Sequence, residues 1–108
     1  MLKLKPALSP VKAAVIPLAR NVPELVNISN DIVKRLRSMA IGRIELENSG
    51  NIGKNYRRHD EIGTPVCITV DHQTLEDNTV TLRHRDTMAQ ERIALTDVPQ
   101  RILEIVNG

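Results

Sequence analysis

Short apolar runs alternate along this chain with longer stretches in which apolar residues recur every three or four positions. Ala13 to Leu18 is a continuous apolar run closed by Pro17, the pattern of a buried strand. Asn21-Val22-Pro23-Glu24 then supplies helix-start chemistry: a proline where the first turn needs no N–H, and a glutamate against the positive end of the helix dipole. Leu25, Ile28, Ile32, Leu36 and Met39 follow at helical spacing while Lys34, Arg35 and Arg37 point elsewhere. This predicts an amphipathic helix ending near Ala40, with Gly42 beyond it. Arg43 to Glu47 alternates strictly, as a half-buried strand does, and Asn48 to Asn51 is turn chemistry. A second helix is expected from about Ile52 to Ile62, with Gly63 as a left-handed cap and Pro65 barring continuation.

Pro65 to Val70 is apolar enough to be a central strand. Asp71 to Asn78 reads as a polar hairpin loop, which makes the next strand, Thr79 to Arg85, antiparallel to it. Alternation turns Val80 and Leu82 inward and Thr81, Arg83 and Arg85 outward. Glu91 to Leu95 suits a short edge strand. Thr96-Asp97-Val98-Pro99 opens a last helix through Val106, with Ile102, Leu103 and Ile105 to bury. The order β-α-β-α-β-β-β-α implies an α/β chain: a mixed five-stranded sheet, parallel plus an antiparallel hairpin, with three helices on its faces. Residues 1–10, with Pro6, Pro10 and two lysines, read as an extended lead-in, leaving residues 11–108 as the domain.

Composition narrows what such a domain can do. At 108 residues there is room for one modest core, and 41% hydrophobic against 26% charged residues is ordinary for a globular chain. Phe and Trp are absent and Tyr56 is the only aromatic, so the core must be aliphatic. A base-stacking platform cannot be built from one tyrosine; stacking would fall to arginine planes, histidine rings or Tyr56. A net charge of +2 suits a site that meets a few phosphates rather than one that wraps a long duplex. Cys67 is alone, which excludes a disulfide framework and points to an intracellular, cytoplasmic setting. No stretch approaches the roughly 20 apolar residues of a membrane span, and Leu2 to Leu8 is too broken by charge for a secretory signal.

Catalytic constellations are not evident. His59, His72 and His84 lie far apart and suit surface or loop positions, the lone cysteine sits in a predicted core strand, and no zinc-type spacing is available. Gly50 and Gly53 lack the Lys-Ser/Thr of a phosphate loop. Asp60 and Glu61 are adjacent rather than facing and suit pairing with Arg57 or Arg58. No metal ligands, catalytic residues or cofactor are therefore expected in the chain. The stronger signal is basic: Lys54, Arg57, Arg58, His72, Arg83, His84 and Arg85 gather around one strand pair. Arg83 and Arg85 suit either a strand edge kept soluble by charge or a pair of forked donors for phosphates and base edges.

Three ordered motifs add to this reading: Leu8 to Lys12, Ile52 to Pro65 and Arg83 to Met88. Together they resemble the C-terminal anticodon-binding domain of glycyl-tRNA synthetases of the homodimeric class II type. The resemblance covers nearly the whole chain and implies that family's fold, a five-stranded mixed sheet with three helices. It implies recognition of the anticodon loop of glycine tRNA by an excised domain. ATP and magnesium would then belong only to an absent catalytic domain that performs the ligase reaction. The parent would be a homodimer and the isolated domain a monomer. An alternative is a non-catalytic protein-interaction module of the same fold, as in the mitochondrial DNA polymerase accessory subunit or a freestanding paralogue. The expected RNA-binding residues are Asp71, His72, Thr74, Arg83, Arg85, Asp86, Lys54 and Arg58. Asp71 and Thr74 can serve base edges, Arg83 and Arg85 can present guanidinium forks, and Arg57 with Asp60 can brace the second helix. Two positions depart from the family: His72 stands where Phe is usual, and Lys54-Asn55 where Arg-Arg is common.

Overall fold

A computed structural model describes residues 11–19, 21–47, 52–85, 87 and 89–107. The expected lead-in and Asp86 lie outside these. Five strands, β1 (Ala13–Pro17), β2 (Ile44–Leu46), β3 (Val66–Val70), β4 (Thr79–His84) and β5 (Gln90–Ala94), form one mixed sheet in the order β2-β1-β3-β4-β5. β1 pairs in parallel with β2 and β3, and β4 runs antiparallel to both β3 and β5. The helices are α1 (Pro23–Ser38), α2 (Ile52–Ile62), α3 (His72–Asp77) and α4 (Val98–Asn107), the last entered through a 3₁₀ turn at Leu95–Asp97.

Chain direction dictates which face each long helix covers. The step from β1 to β2 moves one way across the sheet, and the step from β2 to β3 moves back past β1. Right-handed crossovers therefore set α1 and α2 on opposite faces. α1 packs with α4 over the face built from Ala13, Val15, Val66, Ile68, Val70, Val80 and Leu82, which with Leu25, Leu36 and Ile102 make the main core. Each fully buried aliphatic side chain contributes roughly 1.5–3 kcal/mol. Ala14, Ile16 and Cys67 point to the other face and form a small second cluster. Cys67 is thus the buried core filler its apolar strand implied.

Local signals act as expected at several joints. Pro23 occupies the first turn of α1 with Glu24 beside it, and Arg35 and Arg37 lie in the last turn. Gly63 closes α2 with φ +82°, and the Thr64 N–H donates to the His59 carbonyl at 2.9 Å.

Asp71–Asn78, expected to be a loop, holds the fourth helix instead. The Asp71 carboxylate accepts the Thr74 N–H at 3.2 Å, the Thr74 hydroxyl accepts the Asp71 N–H at 3.1 Å, and Asn78 closes the turn at φ +57°. This reciprocal cap satisfies orphan donors at the start of α3, so six residues, polar but for Leu75, hold a short helix that carries little apolar periodicity. The antiparallel pairing of β3 and β4 holds all the same. At the C-terminus, burial falls on Val98, Ile102 and Val106, while Leu103 and Ile105 are only partly covered.

Candidate nucleic-acid interface

The expected site residues fall at two ends of the sheet. Strand order reverses at β1, so the crevice beyond the carboxyl ends of β1 and β3 is the topological switch point at which open α/β sheets receive ligands. Leu18, Asp71, His72 and the start of α1 meet there, and the Leu18 N–H donates to the Val70 carbonyl at 2.8 Å. Leu18 and, on α3, Leu75 are the exposed large hydrophobic residues among those described. His72 is exposed on the first turn of α3, and Lys54 is exposed near the start of α2.

Arg83 lies at the opposite end, opposite Cys67 on β3. Asp71 lies four residue steps along the chain from Cys67, roughly 13 Å at strand rise. No single base spans that distance.

Several of these side chains are already engaged. The Asp71 carboxylate, besides capping α3, takes a two-pronged ion pair from Arg92 at 2.8 and 2.9 Å. Arg92 also donates to the Thr79 and Thr81 hydroxyls and to the Thr79 carbonyl. The Arg92 hydrogen bonds hold the Asp71 carboxyl below its ordinary value, against the opposing effect of burial. Thr74 is fully buried, so its influence passes through the fold. Arg85, expected in solvent, is 6% exposed: β4 ends at His84, and the chain turns so that the Arg85 N–H donates to the Pro65 carbonyl at 3.0 Å. Arg83 is half-buried on the second face of the sheet, beside Thr81 and opposite Gln90. α2 overlies β1 and β2 on this face, so Thr81, Arg83, Gln90 and Arg92 make a polar strip on its β4–β5 half.

α2 is fastened by charge. Arg58 reaches two carboxylates of the β2 segment, Glu45 at 3.0 Å and Glu47, and lies 3.3 Å from its helical neighbour His59. Burial pushes the Glu45 carboxyl up, but the Arg58 and Glu47 hydrogen bonds outweigh it and leave the group below its ordinary value. Beside them His59, expected at the surface, is completely buried. Its Nδ1 lies 2.7 Å from the Thr64 hydroxyl and its Nε2 lies 3.0 Å from Glu47. Glu45, Glu47 and His59 could offer three donor atoms within 4.8 Å, yet the Arg58 guanidinium sits on both carboxylates and would compete with an ion for them. The expected Arg57–Asp60 brace involves a side chain outside those described.

Arg92, Glu45, Glu47 and buried His59 escaped sequence reasoning. Asp71-x-x-Thr74 was the legible trace of the capping box, whereas Arg92 finds its carboxylate across 21 residues.

On the α1–α4 face, Glu91 accepts Arg101 at 2.8 and 3.0 Å and contacts His84 at 3.0 Å. The Arg101 hydrogen bonds, and behind them His84, push its pKa from 4.5 down to about 2, against burial. The folded state therefore gains stability from ionised Glu91 in full above about pH 4.5, and loses it as pH falls toward about 2. About a third of the side chain is exposed, so solvent screening reduces the gain to on the order of 1 kcal/mol. Urea melts of the parent and Glu91→Gln should differ at pH 6 and converge near pH 2; a constant gap would refute the linkage.

Comparison with known proteins agrees with this architecture. The family model described as the anticodon binding domain matches residues 12–105. Glycine–tRNA ligases are close in sequence: that of Deinococcus radiodurans is 51% identical over 107 residues, covering 91% of this chain and 21% of the relative. That of Thermobifida fusca is 49% identical over 108 residues, covering 100% and 23%. The chain thus spans about a fifth of the length of these relatives. A prolyl-tRNA synthetase from Cryptosporidium parvum shares the fold, with a TM-score of 0.84 at 22% identity over 98% of this chain and 22% of that one. No described helix is long and apolar enough to cross a membrane. A family match over nearly the whole domain, joined to this mixed sheet, means that the chain belongs to the anticodon binding domain family, with glycine–tRNA ligases among its close relatives.

Proposed function

We propose that this chain recognises the anticodon loop of glycine tRNA as a module of a glycine–tRNA ligase. It would hold the tRNA for ATP-dependent aminoacylation carried out by a catalytic domain outside this sequence. The observation that carries the reading is near-50% identity to glycine–tRNA ligases across the domain. In this reading the domain is a monomeric unit of a dimeric, cytoplasmic ligase.

Exposure divides the labour among the site residues. Exposed His72 and Lys54 at the switch-point end, and half-buried Arg83 on the strip, contact the RNA as donors; the Asp86 carboxylate, outside the described residues, would serve as an acceptor. Asp71, Thr74, Arg58 and Arg85 are engaged or buried and position those contacts. A cytosine-rich anticodon offers amino donors and carbonyl acceptors, which suit polar and guanidinium partners.

Titration with glycine tRNA and with an anticodon-altered form tests this. The cognate RNA should bind more tightly, and Arg83→Ala should cost roughly 1–3 kcal/mol of cognate binding while narrowing the gap. Equal affinity of the parent chain for both RNAs would defeat the reading.

A further inference from the structure

A different set of cations lies at the β2 edge of the sheet. Between α1 and edge strand β2 runs a groove of about 640 Å³, walled by Asn30, Lys34 and Arg37 from the helix and by Gly42, Arg43 and Glu45 from the strand side. Lys34, Arg37 and Arg43 are all exposed, Arg43 with 71% of its side chain in solvent.

Their charges are poorly compensated. Arg92 and Arg101, on the β4–β5 side, are each locked to a carboxylate. Lys34 and Arg37 have no carboxylate partner among the described residues. Arg37 spends Nε and one Nη2 donor on the Ile44 carbonyl, at 3.3 and 2.9 Å, which caps the open strand edge and leaves its remaining N–H donors toward the groove. The groove's own carboxylate, Glu45, is shared by Arg43 at 3.3 Å and Arg58 at 3.0 Å. The surface is therefore cationic overall, although one acid lines it.

Local geometry keeps the groove in shape. Gly42 holds φ +136°, and a Cβ there would lie 2.4 Å from Lys12 Cγ, so the Lys12 stem packs directly against its backbone. The lining has no aromatic side chain, and apart from the Asn30 amide its side-chain donors sit on cations. Such a surface can hold phosphate without reading a base.

We propose that this groove is a sequence-independent site for the phosphodiester backbone of the bound RNA, separate from the residues that read the anticodon. The proposal rests on the tRNA-binding reading for the identity of the RNA. Charge complementarity selects the occupant: a polyanion can meet Lys34, Arg37 and Arg43 together, and releasing its counterions drives binding.

The test is Lys34→Gln with Arg43→Gln in the full 108-residue chain, leaving Arg37 to cap β2. Both replaced side chains are exposed, and a matching thermal melt will show that the fold is kept. Affinities for glycine tRNA and for its anticodon-altered form should fall by the same factor, leaving their ratio intact. The plot of log affinity against log salt should lose about 1.4 in slope for two single-stranded phosphate contacts. Unchanged affinity and slope, with parental discrimination intact, would overturn the groove and leave the anticodon reading standing. A narrowed ratio between the RNAs would also overturn it, because the groove would then read bases. If the parent fails to discriminate but the double variant still loses slope, the groove stands and the glycine-tRNA reading falls. A parent that binds neither RNA removes both.

Discussion

Arg92→Ala is expected to lower the stability of the chain by about 2–3 kcal/mol, with a melting temperature reduced on the order of 10 °C. The reason is the number of parts that one guanidinium joins. From β5 it reaches the β4 hydroxyls of Thr79 and Thr81, the Thr79 carbonyl and the Asp71 cap of α3. Its side chain is 26% exposed and that of Asp71 22%, so the pair is shielded well beyond an ordinary surface salt bridge. Truncation leaves a partly buried carboxylate with only its capping bonds, which costs more than the intact pair contributes. Asp71→Ala should also destabilise, since it removes the same pair together with the cap. The double variant should be less destabilised than the sum of the two, by roughly 1–2 kcal/mol. Urea melts of the four proteins provide the cycle; additive losses would mean that Arg92 and Asp71 act independently. If the domain binds RNA as proposed, the loss should reach that binding as well, because α3 carries His72.

His59→Ala is the second large effect, expected at about 2–4 kcal/mol. Removing the fully buried ring leaves a cavity beneath α2 and strips hydrogen bonds from the Thr64 hydroxyl and from Glu47. His59→Gln keeps a polar group of similar reach and should recover a good part of the loss. Denaturant midpoints at an unchanged slope with denaturant would measure it. If alanine and glutamine cost the same, packing rather than hydrogen bonding holds the helix. Wild-type stability in the alanine variant would contradict the buried placement altogether. The consequence for function is positional: α2 carries Lys54 and Arg58, and His59 with Arg58 ties it to the β2 segment.

Much of the architecture was open to inspection before any coordinates. Continuous apolar runs at Ala13–Pro17 and Val66–Val70 became the two strands buried along their whole length, because strands covered on both faces leave no position for polar alternation. Pro23 and Gly63 marked helix ends through backbone requirements that hold in any tertiary setting. α3 was missed because its stability comes from a reciprocal cap and a left-handed Asn78 rather than from an apolar stripe. The motifs around Ile52–Pro65 and Arg83–Met88 pointed to the family, and the match over residues 12–105 agrees.

By itself, then, the sequence determined the number of strands and the direction of the first four, the long helices, the aliphatic core with Cys67 in it, and the kinship with anticodon-binding domains. Tertiary structure alone decided which cations stay available. Arg58 meets Glu45 across 13 residues, Arg101 meets Glu91 across 10 and Arg92 meets Asp71 across 21, and these distances close only once strand register and helix docking are set. Arg85 becomes buried because β4 ends one residue before it, and His59 because the turn of α2 that carries it faces the sheet. Charge is written residue by residue along a chain, but whether it is neutralised depends on what folding brings within about 4 Å, where the pairing of two ions is decided.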